Sequence, residues 1–164
     1  MLQLTKIISG GQTGVDQAAL RAAMKLGLEF GGWCPPDGRS DEGLIPAQFC
    51  LRPTPEERSL RALGVPRSLR TEWNARDADA TLVLTPMKEI DDCGTAWTLQ
   101  AASWYNKPSL VLNPSLEEQS TCLADWLQRN TVSCLNVGGP SEQDCAGVGA
   151  LAYHFLIRAL SNLC

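Results

Sequence analysis

At 164 residues, with 44% apolar and 20% charged side chains, the chain has the size and composition of one globular domain with a proper core. A formal net charge of −4 argues against a surface built for nucleic-acid phosphates, and no apolar run approaches the length of a membrane span. Seven irregularly spaced cysteines, no Cys-x-x-Cys pair and a single histidine exclude zinc-ligand spacing and argue against a secreted disulfide framework, so free thiols in a reducing cytoplasm are expected.

Strands and helices alternate along the chain. Leu2 to Ile8, with the β-branched pair Ile7-Ile8, predicts a strand. Val15 to Leu26 predicts a helix, apolar along Val15, Ala18, Ala19, Ala22 and Leu26 and polar along Gln17, Arg21 and Lys25. Phe30 to Cys34 predicts a second strand, ended by Pro35-Pro36. Asp37 to Pro53 is too long and polar for a simple connection and reads as a functional loop flanking a short strand at Phe49 to Leu51. Thr54-Pro55-Glu56-Glu57 has the form of a capping box with proline at the first helical position, predicting a helix to about Leu63.

A short helix over Leu69 to Arg76 and a buried strand over Ala80 to Thr85 follow. Next come a helix from Cys93 through Tyr105, a strand over Ser109 to Asn113, and a helix opened by the second capping box, Ser115-Leu116-Glu117-Glu118. Cys134 to Val137 is the last predicted strand. The final helix carries an apolar stripe from Val148 to Leu163, with His154 on the opposite, solvated face.

This alternation predicts a single three-layer α/β domain spanning residues 1–164, a mainly parallel sheet flanked by helices. Right-handed crossovers place the strand C-termini along one edge, where open α/β sheets bind ligands. The unusual turns all fall there: Gly10-Gly11, Trp33-Cys34-Pro35, Pro86, Asn113 and Gly138-Gly139.

The most informative stretch is Ser9-Gly10-Gly11-Gln12-Thr13-Gly14-Val15-Asp16. Its glycines lie between a strand and a helix, where free backbone N–H groups and the positive end of the helix dipole suit an anion. It is neither a Walker loop, lacking the lysine, nor a G-x-G-x-x-G fingerprint. A tight turn with no ligand is the competing reading, but Thr13 and Asp16 add a hydroxyl and a carboxylate that a plain turn does not need. A second glycine turn at Gly94-Thr95 opens another helix, so a phosphate held between the two is the expectation. Arg39, Arg70 and Arg76 supply charge or surface ion pairs, and Asp16, Asp77 and Asp79 either read heterocycle N–H groups or cap turns. Cys34 and Cys93 on the same edge offer a thiol alternative.

Several of these stretches resemble one family, the molybdenum carrier proteins. The resemblance runs through Ser9 to Asp16 with Ala18-Ala19-Leu20, Gly31-Gly32-Trp33-Cys34-Pro35, Gly38-Arg39 and Glu42-Gly43. It continues through Arg70-Thr71-Glu72, Asn74, Asp77, Asp79, Thr81-Leu82, Gly94-Thr95 and Lys107-Pro108, and ends at Leu135-Asn136-Val137, Gly139-Pro140 and Gly147. It implies a Rossmann-like fold related to the Lonely Guy and DprA proteins, assembly as a homo-oligomer (dimer or tetramer), and binding of the molybdenum cofactor (molybdopterin), a phosphorylated pterin. Cys93 and Ser141 depart from it, standing where glycine and arginine are usual.

The ligand-binding candidates are therefore Gly10, Gly11, Gln12, Thr13, Gly14, Asp16, Trp33, Cys34, Arg39, Arg70, Asn74, Asp77, Asp79, Gly94, Thr95 and Gly139. The partner expected is a small phosphorylated ligand, not nucleic acid or membrane. The alternative is a nucleotide N-glycoside hydrolase of the Lonely Guy type, or a sensor of a nucleotide-derived ligand. The resemblance to those hydrolases puts Thr98 where they carry a catalytic glutamate, leaving only Asp91 or Asp92 to act as acid from the loop. Binding without turnover is the better expectation.

Overall fold

The computed structural model describes residues 4–161. The first two residues of the predicted opening strand, Leu2 and Gln3, lie outside that range, as do Leu163 and Cys164.

The central sheet has five parallel strands in the order β2-β1-β9-β7-β8: β1 (Lys6–Ile8), β2 (Glu29–Gly31), β7 (Ala80–Leu84), β8 (Ser109–Leu112) and β9 (Cys134–Gly138). The last strand in the chain thus fills the middle of the sheet. All five residues of β7 are buried, as expected of a parallel strand covered on both faces. Helices α1 (Val15–Leu26), α4 (Gln119–Arg129) and α5 (Val148–Leu160) share the main core on one face; α2 (Ser68–Asp77) and α3 (Cys93–Trp104) pack around Ala75, Trp97, Ala101 and Ala102 on the other.

The small face of α1 explains its place. Ala18, Ala19, Ala22 and Ala23 are fully buried, allowing close approach to α5, which fills the gap with Val148, Ala152, Phe155 and Leu156. His154 is exposed, as its position on the polar face requires. Because β1 leads outward through α1 and β7 leads outward the other way through α3, both helices begin beside the C-terminal end of β9. That is the switch point of the sheet.

Three expectations need correction. The predicted strand over Phe30 to Cys34 breaks at Gly32, at φ 128°, where a Cβ would lie 2.4 Å from the Ser9 carbonyl oxygen. Beyond it Asn74 accepts from the Trp33 amide (2.9 Å) and donates to the Trp33 carbonyl (3.0 Å), so β3 (Trp33–Cys34) leaves the main sheet and pairs with β6 (Arg52–Pro53). Between those two strands lie a hairpin of β4 (Arg39–Ser40) with β5 (Gly43–Leu44), then a single 3-10 turn at Ala47–Phe49 in place of the predicted strand.

The helix predicted from Thr54 to Leu63 is absent; the segment is a run of bends and turns. Thr54 donates to the Glu56 carbonyl at 2.7 Å rather than capping a helix. Leu60 and Leu63 point outward, 91% and 60% exposed, so no apolar face rewards helix formation.

Candidate functional site

A cavity of about 610 Å³ opens at the C-terminal edge of the sheet, between the starts of α1, α2 and α3. A small recess of about 20 Å³, lined by Asp16, Arg70, Asn74, Thr98 and Asn136, lies beside it and shares several of its walls.

The glycine turn is built for close packing. A Cβ on Gly11 would meet Leu51 Cδ1 at 2.6 Å, on Gly14 the Pro140 carbonyl oxygen at 2.5 Å, and on Gly139 the Leu84 carbonyl oxygen at 2.3 Å. Gly11 and Gly14 also stand at φ 82° and 78°, a region L side chains avoid. These glycines therefore pass the chain between the 45–51 segment and the 139–141 turn. Thr13 is buried with them, its hydroxyl accepting from the Glu142 amide at 3.2 Å. Gln12 faces the cavity and ties the turn to the hairpin, its Oε1 accepting from the Asp41 amide at 3.0 Å.

Asp16 and Arg70 form the cavity's rear wall. The Arg70 Nη1 donates to the Gly10 carbonyl at 2.8 Å and lies 4.0 Å from the Asp16 carboxylate, both side chains 11% exposed. Burial pushes the Asp16 carboxyl above its ordinary range, opposed by the Arg70 charge and by the Gln12 amide, which donates to Asp16 Oδ2 at 3.2 Å. Burial likewise lowers the proton affinity of Arg70, offset mainly by Asp16.

The start of α3 forms the opposite wall. Asp92 caps it, accepting from the Thr95 amide at 2.7 Å. The Thr95 hydroxyl is buried and has no hydrogen-bond partner among the described residues, an arrangement that costs stability unless something else supplies a partner. A Cβ on Gly94 would have only Asp92 Oδ2 near it, at 3.8 Å, so packing does not require a glycine there as it does at Gly14. The Thr98 hydroxyl donates back to the Gly94 carbonyl at 3.0 Å, and no carboxylate stands at that position.

Of the sequence candidates, Gly10, Gln12, Asp16, Arg70, Asn74, Gly94, Thr95 and Gly139 come together at the cavity and its recess. Five do not. Trp33 and Asp77 bond each other on the outside of α2, indole Nε1 to Asp77 Oδ2 at 2.7 Å, with Arg76 paired to the same carboxylate group and Arg52 stacked 4.5 Å from the indole. Cys34 lines a separate groove with Ile45 and Cys50, and Arg39 is exposed on the β4–β5 hairpin. Asp79 precedes β7, at the opposite end of the sheet, and accepts from the Ser133 and Cys134 amides at 3.0 and 2.8 Å; it is a turn cap.

Sequence reasoning missed Asp41, Glu57, Arg67 and Asp144, all in the cavity wall. Asp41 and Glu57 lie in segments whose irregular path has no periodic signal, and Arg67 precedes α2 with nothing in its neighbours to mark it. The cavity holds five carboxylates (Asp16, Asp41, Glu57, Asp92 and Asp144) against two arginines, Arg67 and Arg70. No group of metal-ligating side chains is present among the described residues.

With this geometry in view, the likeness to known proteins is informative. Residues 7–160 match the family model described as "Circularly permutated YpsA SLOG family". The solved structure of a protein named "Putative molybdenum carrier protein", from Syntrophus aciditrophicus SB, is 32% identical with a TM-score of 0.86, over 97% of this chain and 96% of its own. No curated protein matches the chain. The chain belongs to the circularly permuted YpsA SLOG family, and its mixed α/β architecture is of the Rossmann-like kind.

Proposed function

We propose that the protein binds a small phosphorylated ligand, with the molybdenum cofactor as cargo, in the cavity between α1, α2 and α3, and releases it unchanged. The observation that carries this reading is the pairing, in one cavity at the switch point of the sheet, of buried Arg70 with a Thr95 hydroxyl that has no partner among the described residues. The donor set fits a ligand with two chemical ends. Arg70, Thr95 and the open side of Gly94 suit a phosphate, with the ligand anion exchanging for Asp92 at the start of α3. Asp41 and Asp144 are acceptors for the N–H edge of a pterin or a nucleobase.

Thr98 supports binding over hydrolysis, since a threonine hydroxyl is too weak an acid to protonate a departing base. The hydrolase reading keeps one favourable observation: Asp92 lines the same cavity beside Gly94 and Thr95. Assembly as a homo-oligomer belongs to the proposal too, favoured by the partly uncovered sheet edge, where Val111 of β8 is 43% exposed.

Anaerobic titration with molybdenum cofactor, run beside incubation with nucleoside monophosphates and chromatography for free base, tests the reading. Saturable cofactor binding with no base released is expected. Base release well above the uncatalysed rate overturns it in favour of hydrolysis.

A further inference from the structure

Arg67 stands in a backbone conformation that arginine rarely adopts. Its φ of 56° is left-handed, a region favouring glycine, and it immediately precedes α2 with no side-chain cap there. Such a conformation persists only where the surroundings hold it. Here the Arg67 amide donates to Glu57 Oε1 at 3.3 Å, and its guanidinium reaches across to Asp41 on the hairpin at 3.1 Å. Arg67 and Asp41 both line the cavity, so this ion pair joins its two sides.

Arg70, one helical turn further on, faces the same space with its guanidinium fixed to Gly10 and Asp16. The two arginines are close enough for the Arg67 charge to oppose protonation of Arg70. Two guanidinium groups on one wall, Arg67 paired with Asp41 and Arg70 with Asp16, offer donors to a bridging anion with two or more oxygens once it displaces Asp41.

We infer that Arg67 is a ligand-binding residue: its guanidinium exchanges Asp41 for the ligand's phosphate, closing a two-arginine clamp with Arg70. The inference rests on the proposal that the cavity takes a phosphorylated ligand, and adds the residue that grips it and the internal carboxylate that competes. In this account the strained backbone at Arg67 is kept for binding, since a glycine there would fit the fold as well or better.

Two substitutions test this with inorganic phosphate as the probe, by calorimetric titration at low salt alongside thermal unfolding. Arg67→Gly is expected to weaken phosphate binding by about tenfold or more while leaving Tm unchanged or higher. Asp41→Asn keeps the shape but removes the competitor, and is expected to tighten phosphate binding several-fold. A purely structural ion pair predicts the opposite pattern: both variants lose Tm and neither gains affinity. Wild-type protein that binds phosphate while both variants bind it equally well overturns the role of Arg67 alone. Wild-type protein that takes up no phosphate, even though the cofactor titration succeeds, also overturns the clamp. Failure of phosphate and cofactor together overturns the clamp and the underlying reading.

Discussion

Asp16 is the residue at which the energetics of the fold and of the site are hardest to separate. Its carboxyl ordinarily titrates near 3.8, and burial raises it in the folded chain. Between those two values the folded state holds a proton that the unfolded state has lost. This contribution to stability is fully present below the unfolded value and is lost as pH rises through the folded one. Asp16→Asn is neutral at every pH and leaves Arg70 uncompensated, so it is offset from wild type throughout. It should nevertheless gain on wild type as pH rises from the ordinary carboxylate value through the raised folded one, read by denaturant unfolding at a series of pH values. Parallel pH curves would mean that Asp16 titrates normally. The thiols give a second prediction at this scale. Cys50, Cys93 and Cys122 are exposed, whereas burial pushes Cys34 upward and Cys134 up to about 11. Alkylation at neutral pH should therefore label those three before Cys34 or Cys134, checked by peptide mass mapping; early labelling of Cys134 would contradict its partial burial at the start of β9.

At the scale of elements, the 54–67 segment shows what sequence pattern does and does not reveal. Thr54-Pro55-Glu56-Glu57 has a helix-start signature, but a local signal cannot report that Leu60 and Leu63 have no surface to pack against. The segment is held instead by Glu72 on α2, 3% exposed, which accepts from the Ser59 hydroxyl, from Arg61 at 2.6 Å and from Tyr105 at 2.7 Å. Glu72→Ala strips a buried charged acceptor from three donors and should cost about 2–3 kcal/mol in urea unfolding. It should also loosen the segment that carries Glu57 and Arg67, seen as faster amide exchange there than in β7. The glycine turn was legible as a strand-to-helix junction because its residues are local in sequence. The reason for its glycines was not, since Leu51 and Pro140 are brought to it only by the fold. Gly11→Val therefore strains the turn and displaces Leu51 and Ile45, so its expected effect is lost stability as well as lost binding, not obstruction of an anion alone.

The whole molecule was readable to the extent that its parts repeat a simple rule. Buried strands and amphipathic helices in alternation gave the layers, and parallel pairing put the strand ends together. Placing β9 at the centre between β1 and β7 needed long-range pairing, such as Lys6 with Cys134 and Thr81 with Asn136, which no local period encodes. The same holds for the site: Gly10, Asp16, Gly94 and Thr95 sit next to their own glycines in sequence, whereas Asp41 and Arg67 meet only across the cavity. No helix among the described residues is long and apolar enough to cross a membrane. The most direct test of the account is anaerobic mass spectrometry of the small molecules released when freshly purified protein is denatured. The account predicts an intact phosphorylated pterin or nucleotide, near-stoichiometric with the chain and absent from an Arg70→Ala variant that remains folded. A free base with ribose phosphate, or a ligand carrying no phosphate at all, would contradict it.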